Sequence, residues 1–498
     1  VGLHEFDLAL LAVSTVLLVA VIGVRIVSGT VLPSLLVFLA IGVAIGESGL
    51  GLHFEDVGVA QVLGLLALAI ILAEGGMTTR WSDIRPALGP SVVLSTLGVL
   101  VSVAVVAVAA VPLLGVDTRT ALLLGAVVSS TDAAAVFSVL RRLPLAQRPT
   151  AVLEAESGFN DAPVVILVTL VASPAWQTRS WWTVVALIGA ELIGGAVTGA
   201  ACGWAGERLL RRLALPAAGL YPLTALALLL ATYAGASLLH VSGFLAVYLA
   251  AVRLGNAGLP HRRGTLAFVE GIAWLAQIAL FVMLGLLASP SRLPEALGPA
   301  LVVGCVLTFL ARPASIAASA VWFRIPWREQ VFLSGAGLRG AVPIVLTTIP
   351  VTAGLPGADR VFDTVFVLVV VFTALQAPLL PALARGLGMV TQNDPHAVDM
   401  DSAPLEEMDG DALHAVVPRG SRLVGVHVSD LALPGGALVF LVIRDGRPTV
   451  PDTGTCLCPD DRLVVVTPPG AREDVERRLR DVAAYGRLAG WIRPQGVR

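Results

Sequence analysis

Thirteen long apolar runs limit this chain more than any other feature. They lie at residues 6–27, 30–46, 58–76, 87–112, 119–141, 148–172, 181–209, 220–238, 242–256, 265–289, 295–322, 329–350 and 362–388. Each is read as a helix crossing about 30 Å of hydrocarbon. Only 14% of the residues are charged, against roughly 25% in a soluble domain, and the mean hydropathy is +0.86. The expectation is a polytopic α-helical membrane protein with the lipid bilayer as its surroundings. The first run is too long for the apolar core of a signal peptide and counts as a span. A net charge of −2 argues against nucleic acid as a partner, and the 33 basic residues are all Arg, which reflects coding composition rather than mechanism.

The loops test that count. Alternate loops carry fifteen Arg, including Arg25, Arg80, Arg141, Arg142, Arg148, Arg253 and Arg324, while the opposite loops hold four: Arg119, Arg179, Arg292 and Arg360. Basic loops stay cytoplasmic. The N-terminus is therefore expected outside and the C-terminus inside, in the cell inner (plasma) membrane.

Near residue 390 the composition changes. After a transmembrane domain at 1–390, residues 391–411 are acidic and polar and read as a linker. In 412–485 a period-two pattern appears at 412–418, 437–443 and 462–467. A hairpin signal stands at Arg444-Asp445-Gly446, a turn at Pro459-Asp460-Asp461 and an amphipathic helix at 470–484. A small α+β cytoplasmic domain is expected, followed by a tail at 486–498. Cys202 and Cys305 lie in apolar runs as packing residues. Cys456 and Cys458 have only His414 and His427 near them, too few for a zinc site at ligand spacing. No resident metal or cofactor is expected. Gly42/Gly46 and Gly195/Gly199/Gly203 read as faces for close helix packing.

One polar island interrupts the apolar background: Glu154-Ala155-Glu156-Ser157-Gly158-Phe159-Asn160-Asp161. Ionisable side chains at bilayer depth are costly and mark ion or proton paths. On a helix Ser157 and Asp161 share a face, with Glu154 on the same side. Glu156 lies about 140° round from Asp161 and needs another partner. A second interruption is Ser129-Ser130-Thr131-Asp132-Ala133, and a third runs from Ser334 through Gly335, Gly337, Arg339 and Gly340 to Pro343. Such segments suggest unwound backbone, tolerated at membrane depth only where it is buried in protein or lines a cavity. Arg339 must be paired, since an unpaired buried charge is strongly destabilising, and Glu156 is its candidate partner. Arg312 precedes Pro313, at an expected kink. Asp161 is left without a fixed counter-charge, able to hold a proton or a metal ion but not both. That is the least an exchanger needs. Glu74, in the third run, either adds an oxygen ligand or caps its helix end. Hard monovalent cations favour oxygen ligands such as Glu74, Thr131, Ser157 and Asp161 present.

The three segments resemble the EGESxxND, STDP and GLRGA motifs of the NhaP-like, electroneutral branch of the monovalent cation–proton antiporters, in order and at similar spacing over residues 5–390. The resemblance implies a thirteen-helix homodimer with inverted repeats and a mobile six-helix core that moves as an elevator. Spans 5 and 12 would be its crossed broken helices. It also implies Asp161 as ion and proton carrier, Asn160 as its structural neighbour and Glu156–Arg339 as a stabilising pair. Thr131, Ser157 and Glu74 would complete the cation shell. Ser130 and Asp132 lie at the break, and Glu154 has no assigned role. One departure is Ala133, where the commoner residue is proline. The tail is similar to a TrkA-C (RCK-C) ligand-binding domain without the GxGxxG nucleotide-binding partner, which implies dimerisation, a small regulatory ligand such as a nucleotide, and potassium in preference to sodium.

The expected function is a secondary antiporter, not an enzyme, exchanging cytoplasmic K+ or Na+ for external H+ under control of the tail. A Na+-specific antiporter is one alternative. An RCK-regulated potassium channel is another, but the chain lacks a TVGYG-like filter. An intramembrane aspartyl protease built on Asp132 and Asp161 lacks the GxGD order.

Overall fold

The computed structural model describes the chain except residues 1–2, 28–29, 31, 48, 50, 52–55, 141–142, 144, 179, 391–398, 406–409, 469–470 and 487–498. Arg141, Arg142 and Arg179, used above for orientation, fall outside the described residues, as does most of 391–411 and of the tail. Two compact units, Val1–Val390 and Thr391–Arg498, are taken separately.

All thirteen apolar runs carry helices. They are α1 (Leu3–Val27), α2 (Ser34–Ile45), α3 (Val57–Thr78), α4 (Trp81–Leu114), α5 (Thr118–Ser129), α6 (Ala133–Leu140), α7 (Gln147–Ala172) and α8 (Trp181–Arg212). There follow α9 (Leu220–Leu238), α10 (Gly243–Gly255), α11 (Arg262–Leu287), α12 (Leu293–Ala320), α13 (Trp327–Gly335), α14 (Ala341–Thr352) and α15 (Ala358–Gly386). Among the described residues nine of these are long and apolar enough to cross a membrane, and the α5–α6 pair, bent by 42°, makes a tenth. The helices α2, α10 and α14 are apolar but shorter.

Local chemistry sets the ends. Asp117 accepts from the backbone N–H of Arg119 and Thr120 and starts α5, and Ser242 does the same for α10, each satisfying orphan donors of a first turn. Arg119 in turn donates to the carbonyls of Val171, Ala172 and Ser173, closing α7. Two helices carry a π turn, at Leu94–Gly98 in α4 and Leu307–Ala311 in α12. In α12 the cause is visible: Pro313 has no N–H to return to the carbonyl four residues back, which loosens the turn before Arg312.

Glycines set the helix separations around the core. A Cβ on Gly195 would fall 2.6 Å from the Ser242 carbonyl oxygen and one on Gly199 2.4 Å from that of Ala246, so α8 and α10 touch backbone to backbone. Gly42 meets Gly285 of α11 in the same way, at 2.8 Å from its Cα. The long α7 is buried on nearly every side. It passes α4, α5, α10 and α14, which is how the polar island comes to lie at the centre of the bundle. Gly199→Leu is expected to lower the thermal midpoint of the purified protein markedly, by overpacking worth about 1–3 kcal/mol. An unchanged midpoint would contradict this contact.

The second unit is a five-stranded antiparallel sheet in the order β1-β2-β5-β3-β4, formed by Asp399–Leu405, Gly410–Val416, Leu438–Arg444, Arg447–Thr449 and Arg462–Thr467. A helix, α16 (Arg472–Tyr485), buries Val475, Leu479 and Val482 in its core. Asp445 and Gly446, at φ of 50° and 77°, form the tight turn expected of Arg444-Asp445-Gly446. The stretch expected to be a linker is corrected in part. Asp399–Leu405 is a strand paired along β2, because an edge strand needs backbone hydrogen bonds rather than an apolar period. Asp461 is out of contact with solvent and accepts two hydrogen bonds from Arg444, at 2.9 and 2.8 Å, and one from the Cys458 N–H at 2.7 Å. Burial pushes its pKa up, but these donors outweigh it and hold the carboxyl below its ordinary value. A depressed pKa means that the bonds stabilise the fold above the ordinary carboxylate range and lose that effect as pH falls through the lowered value. At neutral pH, Asp461→Asn is expected to weaken the unit by about 1–3 kcal/mol. Faster hydrogen exchange at the Leu413 and Val465 amides of the full chain would register it, and unchanged exchange would refute it.

Candidate functional site

The polar island lies where two helix breaks meet. Between α5 and α6 the chain is extended at Ser130–Thr131–Asp132, and between α13 and α14 it is non-helical from Ala336 to Gly340. The breaks touch: the Asp132 N–H donates to the Leu338 carbonyl at 3.0 Å. A Cβ at Gly340 would fall 1.9 Å from Asp132 Oδ2, so only glycine permits this approach. Asp132 itself accepts from the Ala135 N–H at 3.2 Å and starts α6.

Ser157 spans the first break from α7. Its Oγ donates to the Thr131 carbonyl and accepts from the Ala133 N–H, both at 3.2 Å. A proline at 133 would have no such N–H, so the departure at Ala133 supplies a bond that the commoner residue cannot. Asn160 Nδ2 donates to Thr131 Oγ1 at 2.5 Å, and Thr131 Oγ1 donates onward to Glu156 Oε1 at 3.3 Å. Thr131 is thus joined to Glu156 rather than to Asp161. The side-chain amide oxygen of Asn160, Oδ1, is buried without a hydrogen-bond partner among the described residues.

The two buried acids of α7 have different surroundings. Arg312 grips Glu156 with two guanidinium nitrogens, at 2.5 and 2.8 Å, and the pair is 4% and 2% exposed. Burial this complete makes the pair as dependent on its geometry as any feature of the fold. The expected pairing of Glu156 with Arg339 is therefore corrected: the cation comes from α12, directly after its π turn. Arg339 is buried too, yet its Nε and Nη1 have no hydrogen-bond partner among the described residues. Asp161 is 6% exposed and forms no ion pair among the described residues; its Oδ1 accepts from Ser130 Oγ at 2.6 Å. Glu154 is engaged elsewhere, accepting from Thr79 Oγ1 at 2.7 Å just beyond the end of α3. Glu74 is half-buried in the last turns of α3, and no hydrogen bond or ion pair among the described residues joins it to Asp161. Ser130 and Arg312 are thus closer to the two acids than their place in the sequence reading suggested. The Pro313 that follows Arg312 was the one signal of its importance.

α4 holds this arrangement from behind. Ser91 and Ser95, one turn apart, donate to the carbonyls of Val152 and Glu156, each at 3.2 Å. The Tyr248 ring closes the other side, lying where a Cβ on Gly158 would be, 2.2 Å away. Removing one member of the Glu156–Arg312 pair leaves a buried charge uncompensated, so Glu156→Gln and Arg312→Met are each expected to destabilise by about 3–5 kcal/mol. The double variant should cost far less than the sum. Thermal midpoints of the three purified variants measure this, and additive losses would contradict the pairing.

The sodium/hydrogen exchanger transmembrane family model matches residues 13–386, and the TrkA-C domain model matches residues 414–480. The K(+)/H(+) antiporter NhaP of Alkalimonas amylolytica is 39% identical over 459 residues, covering 89% of this chain and 78% of its own. The K(+)/H(+) antiporter NhaP2 of Shewanella oneidensis is 35% identical over 452 residues, covering 87% and 77%. Among solved structures, the sodium proton antiporter MjNhaP1 from Methanocaldococcus jannaschii matches with a TM-score of 0.65 at 22% identity, over 76% of this chain and 99% of that one. The chain belongs to the sodium/hydrogen exchanger family, and its transmembrane domain is followed by a TrkA-C domain.

Proposed function

We propose that the protein is an electroneutral K+/H+ antiporter in which Asp161 alone carries the exchanged charge. One observation carries this reading: of the two buried acids on α7, Glu156 is neutralised by Arg312, while Asp161 has, among the described residues, a single hydroxyl donor and no cation. A carboxylate so placed binds either one proton or one monovalent cation, and each occupancy leaves the site with the same net charge. Exchange is then one for one. The Ser130 hydroxyl and the unpartnered Asn160 Oδ1 would join Asp161 in holding the cation, with Ser157 and Thr131 keeping the break in shape around it. Oxygen donors of this kind suit a hard monovalent ion. Potassium is favoured over sodium because both relatives named above are K(+)/H(+) antiporters.

Two broken helices crossing at the site fit an inverted-repeat transporter of thirteen spans. In such a transporter a core moves past a scaffold as an elevator, and the protein works as a homodimer in the inner membrane. The arginine-rich loops support an external N-terminus and a cytoplasmic TrkA-C domain, which would bind a small regulatory ligand, nucleotide-like in class, and adjust the transport rate. Glu74, in the last turns of α3, and Glu154, on α7 and bonded to Thr79 just beyond α3, would attract cations to the entrance rather than ligate them. In proteoliposomes loaded with a pH-sensitive dye, Asp161→Asn is expected to abolish pH changes driven by K+, Na+ or Li+, with the wild type responding most to K+. Exchange by a folded Asp161→Asn protein would overturn the assignment.

A further inference from the structure

Arg339, beside the Glu156–Arg312 pair, is a buried cation with no ion-pair partner among the described residues. Two guanidinium groups, each 4% exposed, lie with a single carboxylate, Glu156, and among the described residues no carboxylate oxygen comes within 4.0 Å of Arg339. A guanidinium does not give up its proton in a protein. Among the described residues one of the two buried guanidinium groups is therefore left unpaired, and a lone buried ion costs several kcal/mol.

Arg312 and Arg339, which carry the unpartnered atoms, both line one pocket. It is lined by Arg312, Arg339, Gly337, Ser334, Thr308 and Gln376, among others, and Asp161 is not among its lining residues. Arg312 Nε, Arg339 Nε and Arg339 Nη1 are all buried without hydrogen-bond partners among the described residues. Thr308 Oγ1 accepts from Gln376 Nε2 at 2.8 Å, which leaves its own O–H as a further donor. Gly337 keeps the space clear, since a Cβ there would come 2.8 Å from Arg312 Nε. The three unpartnered guanidinium nitrogens and the Thr308 hydroxyl outweigh the acceptors of Gln376 and Ser334 and suit an anion rather than a cation. A single negative charge would pair Arg339.

We propose that this pocket holds one small monovalent inorganic anion of about chloride size, bound by Arg339, Arg312 and Thr308, as a resident part of the transmembrane core. The anion neutralises Arg339 and takes Arg312 Nε, while the two terminal nitrogens of Arg312 stay on Glu156. It is separate from the transported cation, so its binding is read at a fixed cation composition.

The test uses the full-length protein in detergent, in choline salts of chloride, bromide or gluconate at equal ionic strength. Chloride and bromide are expected to raise the thermal midpoint saturably and gluconate to leave it low, as a ligand specific to the folded state requires. Thr308→Val should weaken the apparent halide affinity about tenfold, the worth of one charge-assisted hydrogen bond. Arg339→Gln should flatten the halide dependence altogether. Should Arg339→Gln fail to fold, the wild-type titration and Thr308→Val still decide. Crystals grown in bromide should show an anomalous peak between Arg312 and Arg339. Identical midpoints in chloride and gluconate, or a pocket that holds only water in bromide, would overturn the proposal.

Discussion

Everything at the centre of this protein depends on how buried charge is neutralised where water cannot help. Glu156 and Arg312 meet through two hydrogen bonds at 2.5 and 2.8 Å, and several features of the fold serve that contact. The π turn at Leu307–Ala311 precedes Arg312 directly, and the π turn at Leu94–Gly98 places Ser95 against the Glu156 carbonyl. Thr131 and Asn160 extend the network to the broken backbone. Because Glu156 is fully occupied, the other buried acid of the same helix stands alone, and the proposed function rests on that inequality.

The breaks in α5–α6 and α13–α14 are the second constraint. Unwound peptide groups at membrane depth must find partners within the protein. Here they find each other through Asp132 N–H and the Leu338 carbonyl, and they find Ser157 through Thr131 and Ala133. Gly340 allows the approach that makes this possible. Ser130 lies in the same break and donates to Asp161, so the backbone that Ser157 and Gly340 hold in place also positions the hydroxyl on that carboxylate.

Much of this was legible in the chain. Polar and glycine residues inside apolar runs marked both breaks, because hydrocarbon tolerates them only with a reason, and the spacing of Gly195, Gly199 and Gly203 marked the close contact of α8 with α10. The identity of the cation on Glu156 was not legible. Arg312 and Arg339 are both single charges in apolar runs, and the choice between them depends on how far α12 is shifted by its π turn. Periodicity does not report such a shift. The strand Asp399–Leu405 was missed for a different reason: an acidic edge strand pairs through its backbone and carries no apolar alternation. Ser130, read only as part of the break, proves to be the donor to Asp161 because the extended chain turns its hydroxyl toward α7.

The central claim is that a single carboxylate alternates between one proton and one cation. Its most direct measurement is the null point of exchange in proteoliposomes, the K+ gradient at which a fixed pH gradient produces no net proton flux, determined at several clamped membrane potentials. The account predicts a null point at equal K+ and H+ concentration ratios, unmoved by potential. A null point that shifts with potential would mean unequal charges are exchanged, and a second titrating group would then have to share the work of Asp161.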